Sequence, residues 1–135
     1  MPLILVVDDD DTIRDTLYEL ISEEYSCHAA KTAEEALTWL ETQEYDVVLT
    51  DISMPGLSGL ELLVHVRQKY PRTPVIIISG ISDQEHAQGL MRLGAYNYLL
   101  KPFQLELVEK NIKAALEYRE TRKRGSDDAT DWNIV

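Results

Sequence analysis

Four consecutive aspartates, Asp8–Asp11, directly follow an apolar run near the start of the chain. Three other polar residues occupy similar positions relative to later apolar runs. Asp51, Ser79 and Lys101 each lie at or just after the end of a later apolar run. Carboxylates gathered in one pocket are costly unless positive charge neutralises them. A lysine can supply that charge together with a hard divalent cation such as Mg²⁺, which prefers oxygen ligands. A metal, a lysine and a hydroxyl around one carboxylate would bind a phosphoryl group, whose phosphorus the carboxylate can attack.

The apolar runs that precede these polar groups are predicted to be β-strands. Three of them are almost wholly apolar, which is typical of strands covered on both faces in a parallel sheet. The five predicted strands are Leu3–Val7, Tyr25–Ala30, Asp46–Thr50, Val75–Ser79 and Tyr96–Leu100. Amphipathic stretches follow the strands, so the element order is (βα)₅. Right-handed crossovers make this an α/β fold with an open, doubly wound parallel sheet of five strands.

The amphipathic stretches place apolar residues at helical spacing. Three capping boxes, Thr32–Glu35, Ser58–Glu61 and Ser82–Glu85, predict helix starts, and Gly94 predicts a helix end. The residues predicted to face the core are Ile13, Leu17, Leu20 and Ile21; Ala33, Ala36, Leu37 and Leu40; Leu60, Leu63, Val64 and the stem of Arg67; Ala87, Leu90 and Met91; and Leu105, Val108, Ile112 and Leu116.

In such a sheet the loops at the carboxyl ends of the strands converge on one crevice. Each polar residue has a simpler explanation when it is taken alone. Asp8 and Asp9 can complement a helix dipole, Asp51 can belong to a turn, Ser79 can be structural and Lys101 can be solvated. Their joint position, each at the same end of its own strand, favours a functional site.

Composition and charge narrow the classes of function. At 135 residues the chain fits one domain, about residues 1–121, with a polar tail or linker start at residues 122–135. The net charge of −11 argues against nucleic acid as a direct partner. Cys27 is the sole cysteine, so no internal disulfide can form and a cytoplasmic location is expected. No apolar run approaches the roughly 20 residues that span a membrane, and the chain does not begin with a secretory signal.

The sequence resembles the receiver domain of response regulators in two-component signalling. The resemblance rests on LVVDDD, LTDISMPGLSGLEL, PVIIISG and GAYNYLLKPF, in that order, and covers Leu3 to about Arg119. It implies a flavodoxin-like sheet with strand order 2-1-3-4-5. It also implies a sensor histidine kinase as the phosphodonor, Mg²⁺ as the cofactor, and no catalysis beyond the domain's own phosphorylation and dephosphorylation.

The resemblance assigns the acidic residues individually. Asp51 would accept the phosphoryl group. Asp9, Asp51 and the backbone carbonyl of Ser53 would bind Mg²⁺ directly, and Asp8 would act through a metal-bound water. Lys101 would pair with a phosphoryl oxygen, and its peptide bond to Pro102 is expected to be cis.

The resemblance also implies a conformational switch. The Ser79 hydroxyl would move toward the phosphorylated aspartate, and Tyr98 would rotate inward into the vacated space. The face formed by the fourth helix, fifth strand and fifth helix would then bind an effector, an output domain or a second copy of the chain. Ser53 and Ile81 would tune the attacking water, and an apolar Ile81 predicts slow self-dephosphorylation.

Two other functions fit parts of the sequence. In a haloacid-dehalogenase-like phosphatase, Asp8 would be the nucleophile and Asp10 the general acid and base. Such an enzyme would leave Asp51 unexplained. A degenerate receiver that acts as a constitutive interaction module would not need the acidic pocket.

Several other charged residues are predicted to have structural positions only. No metal-ligand spacing joins His28, His65 and His86, which are expected at surface or strand positions. Asp10 and Asp11 are expected to act at the start of the first helix. The basic residues Arg119 and Arg122–Arg124 are expected at the end of the last helix or the start of a linker.

Overall fold

The chain folds as a five-stranded parallel sheet with helices on both faces. A computed structural model describes residues 1–54, 56–80 and 84–124. The elements are β1 (Leu3–Val7), α1 (Asp11–Ser22), β2 (Ser26–Ala30), α2 (Ala33–Thr42), β3 (Val47–Asp51), α3 (Gly59–Lys69), β4 (Val75–Ser79), α4 (Gln84–Arg92), β5 (Asn97–Leu100) and α5 (Leu105–Arg124). The strand order β2-β1-β3-β4-β5 confirms the predicted doubly wound topology.

The strand register aligns the carboxyl ends of the strands. Val7 pairs with both Ala30 and Thr50, and Asp51 pairs with Ile78. At the other side of the sheet, Ser79 pairs with Leu100. The polar residues at the ends of β1, β3, β4 and β5 therefore lie along one edge.

The sheet separates two hydrophobic clusters. Leu5, Val7, Val48 and Ile77 point to the side where α2, α3 and α4 pack. The alternate residues of the same strands, such as Ile4 and Leu49, point to the side of α1 and α5. Both sets of side chains are fully or almost fully buried, which explains why the central strands are continuous apolar runs.

Of the predicted capping boxes, Ser58–Glu61 forms in full, and Thr32–Glu35 forms only the bond to the Thr32 hydroxyl. Ser58 and Glu61 form a complete capping box at the start of α3, and the Thr32 hydroxyl accepts the Glu35 N–H at 3.0 Å. Gly94 ends α4 with a φ of +104°, so that its own N–H and that of the next residue donate to carbonyls of the last helical turn. The predicted Ser82–Glu85 box lies partly outside the described residues.

The predicted core face of α3 is wrong by one position. Leu60 is 38% exposed and Val64 only half-buried, whereas Leu62 and Val66 are fully buried beside Leu63. The sequence LELLVHV offers apolar residues at helical spacing on two overlapping faces, so periodicity alone does not select one. Contact with the sheet selects the face that contains Leu62 and Val66.

Two predicted core residues are also corrected, and Arg119 has partners that the sequence did not predict. Met91 and Leu105 are about 40% exposed, because each lies at the rim of its helix face. Arg119 is buried, and its guanidinium contacts Asp46 at 2.8 Å and Glu44 at 3.2 Å. Arg119 lies in the last helix, as one of the two predictions had it, and it joins α5 to the segment that leads into β3.

Candidate functional site

Three carboxylates meet at the carboxyl edge of the sheet. Asp8 and Asp9 directly follow β1, and Asp51 is the last residue of β3. Each offers an oxygen that lies within 4.8 Å of the other two. Asp8 is fully buried, Asp51 is 5% exposed and Asp9 is half-buried, so the cluster forms a pocket that opens to solvent beside Asp9.

Lys101 brings a positive charge to this cluster. Its Nζ lies 3.4 Å from Oδ2 of Asp8 and 3.3 Å from Oδ1 of Asp51. The backbone N–H of Lys101 donates to the carbonyl of Ser79 at 2.7 Å, which holds the residue where β5 ends beside β4. The following peptide bond, to Pro102, is cis.

The charge in the pocket is not balanced by Lys101 alone. Burial raises the pKa of the Asp8 carboxyl above its ordinary value. Burial and then the neighbouring charge of Asp8 raise the pKa of Asp51. Burial alone would lower the pKa of Lys101, but the attraction of both carboxylates raises it. Two buried anions therefore share one lysine, and a further cation would lower their electrostatic energy.

The donor atoms fit a hard divalent cation. Oδ1 of Asp8 accepts the N–H of Asp10 at 2.9 Å. Oδ2 of Asp8 is buried, and its near neighbour among the described charged groups is Nζ of Lys101 at 3.4 Å. Carboxylate oxygens clustered in this way are the ligands that Mg²⁺ prefers. The residues present thus fit the predicted metal.

The backbone around Asp51 is fixed from two sides. The N–H of Ile52 donates to the carbonyl of Ile78 at 3.0 Å, and the N–H of Gly59 donates to the carbonyl of Ile52 at 3.1 Å. A Cβ added at Gly59 would lie 2.0 Å from the carbonyl oxygen of Asp51. The start of α3 therefore packs directly on the residue that carries the carboxylate. Gly59 was not predicted to have a role, although a glycine directly after an N-cap serine was a usable signal.

The last two of the four aspartates act at the start of α1, as predicted. The Asp10 side chain caps α1 by accepting the N–H groups of Thr12 at 2.9 Å and Ile13 at 3.2 Å. Asp11 is exposed and pairs with Arg14 at 2.6 Å. Neither belongs to the three-carboxylate cluster.

The two residues of the predicted switch lie on neighbouring strands. Ser79 is fully buried at the end of β4, and Tyr98 is half-buried on β5. The Tyr98 ring stands edge-on to the ring of His86 on α4, with centroids 6.0 Å apart. Ser53 is exposed in the loop after β3. Ile81, predicted to tune dephosphorylation, lies outside the described residues.

His28 and Cys27, to which the sequence assigned no role in the site, lie away from it in the hydrophobic and aromatic part of the fold. His28, on β2, hydrogen-bonds the Tyr45 hydroxyl at 2.8 Å and stacks on Trp39. Cys27 is buried, and burial raises the pKa of its thiol to about 12. Neither contributes to the acidic cluster.

The fold and the acidic pocket together define a class of signalling domain. Residues 4–113 match the family described as the response regulator receiver domain, and the chain belongs to that family. A CheY-like receiver domain protein from Methanospirillum hungatei JF-1 is 30% identical, with a TM-score of 0.85 over 90% of this chain and 98% of the other. Brucella abortus NtrX, solved in complex with ATP, is 34% identical, with a TM-score of 0.86 over 92% of this chain and 29% of its own.

Curated relatives include much longer proteins. The DNA-binding transcriptional regulator NtrC of Escherichia coli K12 is 38% identical over 125 residues, which are 89% of this chain and 27% of NtrC. The hydrogenase transcriptional regulatory protein HoxA of Cupriavidus necator is 36% identical over 115 residues, which are 84% of this chain and 24% of HoxA. The chain thus spans about a quarter of the length of these relatives. Among the residues described, no helix is both long and apolar enough to cross a membrane.

Proposed function

We propose that this chain is the phosphoacceptor of a two-component phosphorelay and that Asp51 receives the phosphoryl group from a phosphohistidine of a sensor kinase. An oxygen of the Asp51 carboxylate would attack phosphorus while the bond from phosphorus to the histidine nitrogen breaks. The observation that carries the proposal is the placement of the buried Asp51 carboxylate, 3.3 Å from Lys101 Nζ and clustered with Asp8 and Asp9.

The other residues of the pocket have separate roles in this proposal. Asp9, Asp51 and the backbone carbonyl of Ser53 would hold Mg²⁺, with Asp8 acting through a bound water. When bound, the metal would neutralise charge on the transferring phosphoryl oxygens. Lys101 would pair with one of those oxygens, since its ammonium already lies between the two buried carboxylates.

The output of the domain would be a change of surface shape. The Ser79 hydroxyl would donate a hydrogen bond to a phosphoryl oxygen, and Tyr98 would rotate into the space that Ser79 leaves. The face formed by α4, β5 and α5 would then bind an effector, an output domain or a second copy of the chain. In this proposal the chain acts in the cytoplasm and catalyses only its own phosphorylation and dephosphorylation, at a rate tuned by Ser53 and Ile81.

The two alternatives have less support. A phosphatase with Asp8 as nucleophile needs Asp10 as its acid and base, but Asp10 is exposed and its carboxylate caps α1. A constitutive interaction module has no use for two buried carboxylates paired with a lysine. The full arrangement of Asp8, Asp51 and Lys101 favours the phosphoacceptor.

The test is modification with acetyl phosphate and Mg²⁺, followed by intact mass spectrometry. We expect stoichiometric phosphorylation of the wild type, none of Asp51→Asn, and normal phosphorylation of Asp11→Asn, the matched exposed aspartate. Modification that survives Asp51→Asn and disappears in Asp8→Asn would instead support the phosphatase. Failure of the wild type to bind millimolar Mg²⁺ would support the degenerate module.

A further inference from the structure

A carboxylate from α2 holds the loop that follows the proposed phosphoacceptor. This loop connects β3 to α3, and its described residues, 52–54 and 56–58, include Ser53. Oε2 of Glu34 accepts the backbone N–H of Leu57 at 3.3 Å, across 23 residues of sequence. Glu34 lies in the first turn of α2, so this hydrogen bond joins two elements that follow different strands.

The loop is shaped to receive this carboxylate. Gly56 has a φ of +76°, in the left-handed region that glycine adopts without strain. A Cβ added there would lie 2.8 Å from Oε2 of Glu34. A side chain at residue 56 would therefore require the Glu34 carboxylate to shift from its present position.

Both ends of this contact are attached to the core. The Thr32 hydroxyl caps α2, and Ala33 and Ala36 are fully buried beneath it. The hydrogen bond from the Gly59 N–H to the Ile52 carbonyl joins the two ends of the loop. Glu34 thus adds a restraint at Leu57 to a loop whose two ends already have backbone hydrogen bonds.

We propose that Glu34 is a positioning residue for the phosphoacceptor site. By holding Leu57 it would limit the motion of the loop and so keep the Ser53 carbonyl in place for the metal. This inference rests on the proposed function, since it assigns Glu34 to the same metal site. Glu34 itself touches neither the acidic cluster nor the phosphoryl group.

Substitutions at Glu34 can separate the effect of side-chain length from the effect of side-chain charge. Glu34→Gln keeps the length of the side chain and an acceptor oxygen but removes the charge. Glu34→Asp keeps the charge but is one methylene too short for the contact. Glu34→Ala loses both. Glu35→Ala is the matched control, because Glu35 is the other exposed acid in the first turn of α2 and the hydrogen bond to Leu57 comes from Glu34.

The first readout is amide hydrogen exchange of Leu57, measured by NMR without metal. Glu34→Ala and Glu34→Asp should speed this exchange by about fivefold, the effect of losing one hydrogen bond of average net strength. Glu34→Gln and Glu35→Ala should leave it within about twofold of the wild type, because the acceptor remains in both.

The second readout is the apparent Mg²⁺ affinity, with thermal unfolding measured in parallel. Glu34→Ala and Glu34→Asp should weaken Mg²⁺ binding by roughly threefold, since only part of the loop's order is lost, while all four variants unfold near the wild-type temperature. Any other ranking overturns the proposal, including equal losses in Glu34→Gln and Glu34→Ala, which would indicate a charge effect. If the wild type binds Mg²⁺ and is phosphorylated on Asp51 but the Glu34 variants match it, only this inference fails.

Discussion

Gly59→Ala should test whether the start of α3 packs on the backbone of Asp51. A Cβ at this position would lie 2.0 Å from the Asp51 carbonyl oxygen, 2.8 Å from Cα of Ile52 and 2.9 Å from the Asp51 carbonyl carbon. All three atoms belong to the backbone, so no side chain can rotate away. An ordinary contact between carbon and oxygen is at least about 3.3 Å, so the helix and the strand end must separate by more than about 1 Å.

The expected cost is larger than the gain in helix propensity. Inserting a methyl group into a packed site costs about 1–3 kcal/mol, and a backbone wall favours the upper part of that range. Replacing glycine by alanine within a helix returns at most about 1 kcal/mol. We therefore expect the free energy of unfolding to fall by about 2 kcal/mol, which corresponds to roughly 8 °C in Tm for a domain of this size.

Gly89→Ala is the matched control. Gly89 lies inside α4, and a Cβ added there would meet nothing within 4 Å in the described structure apart from its own helix and chain neighbours. This variant should gain about 0.5–1 kcal/mol, because alanine favours the helix without a new collision. The two glycine-to-alanine changes should thus have opposite signs.

Urea denaturation followed by circular dichroism measures both changes. Because the collision involves the Asp51 carbonyl, Gly59→Ala should also slow phosphorylation by acetyl phosphate at saturating Mg²⁺, whereas Gly89→Ala should not. A Gly59→Ala protein as stable and as reactive as the wild type would refute the reasoning about this contact. Equal destabilisation by both changes would show that loss of glycine, and not the contact, is responsible.

Three other changes probe separate parts of the molecule. Asp9→Ala should weaken Mg²⁺ binding by at least about tenfold, and Asp11→Ala by less than about twofold, in calorimetric titrations; equal losses would contradict the division of the aspartate run. At pH 8 Cys27 should react with iodoacetamide roughly a thousandfold more slowly than an unburied thiol, since burial raises its pKa from 9.0 to about 12, and fast labelling before urea unfolding would contradict this. Arg119→Ala should lower the free energy of unfolding by about 2 kcal/mol, because it leaves the partly buried Asp46 without its charged partner, and an unchanged Tm would show that this ion pair does not stabilise the fold.

The strands and the edge on which the polar residues meet follow from local pattern. Leu3–Val7 and Val75–Ser79 were predicted with the bounds that β1 and β4 have, because strands covered on both faces are uninterrupted apolar runs. In a parallel sheet every strand ends at the same edge. The meeting of Asp8, Asp51 and Lys101 therefore needs only the strand ends and the topology.

The face that α3 turns to the sheet could not be obtained in this way. Leu60 and Leu62 both belong to apolar sets at helical spacing, and the sequence of the helix does not rank them. The structure buries Leu62 because Gly59 lets the helix begin against the Asp51 carbonyl, which sets its rotation. That contact joins residues from two elements, and no periodicity within one element reports it.

The amino-acid sequence by itself determined the element order, the strand ends to within one residue and the residue types of the acidic pocket, because these depend on local periodicity and on the rules of parallel sheets. Only the tertiary structure decided that Arg119 is buried against Asp46 and that Glu34 reaches the N–H of Leu57. Each of these contacts spans 23 residues or more. Side chains so far apart in sequence meet only after the helices have packed on the sheet, so their pairing depends on the packed geometry and not on local spacing.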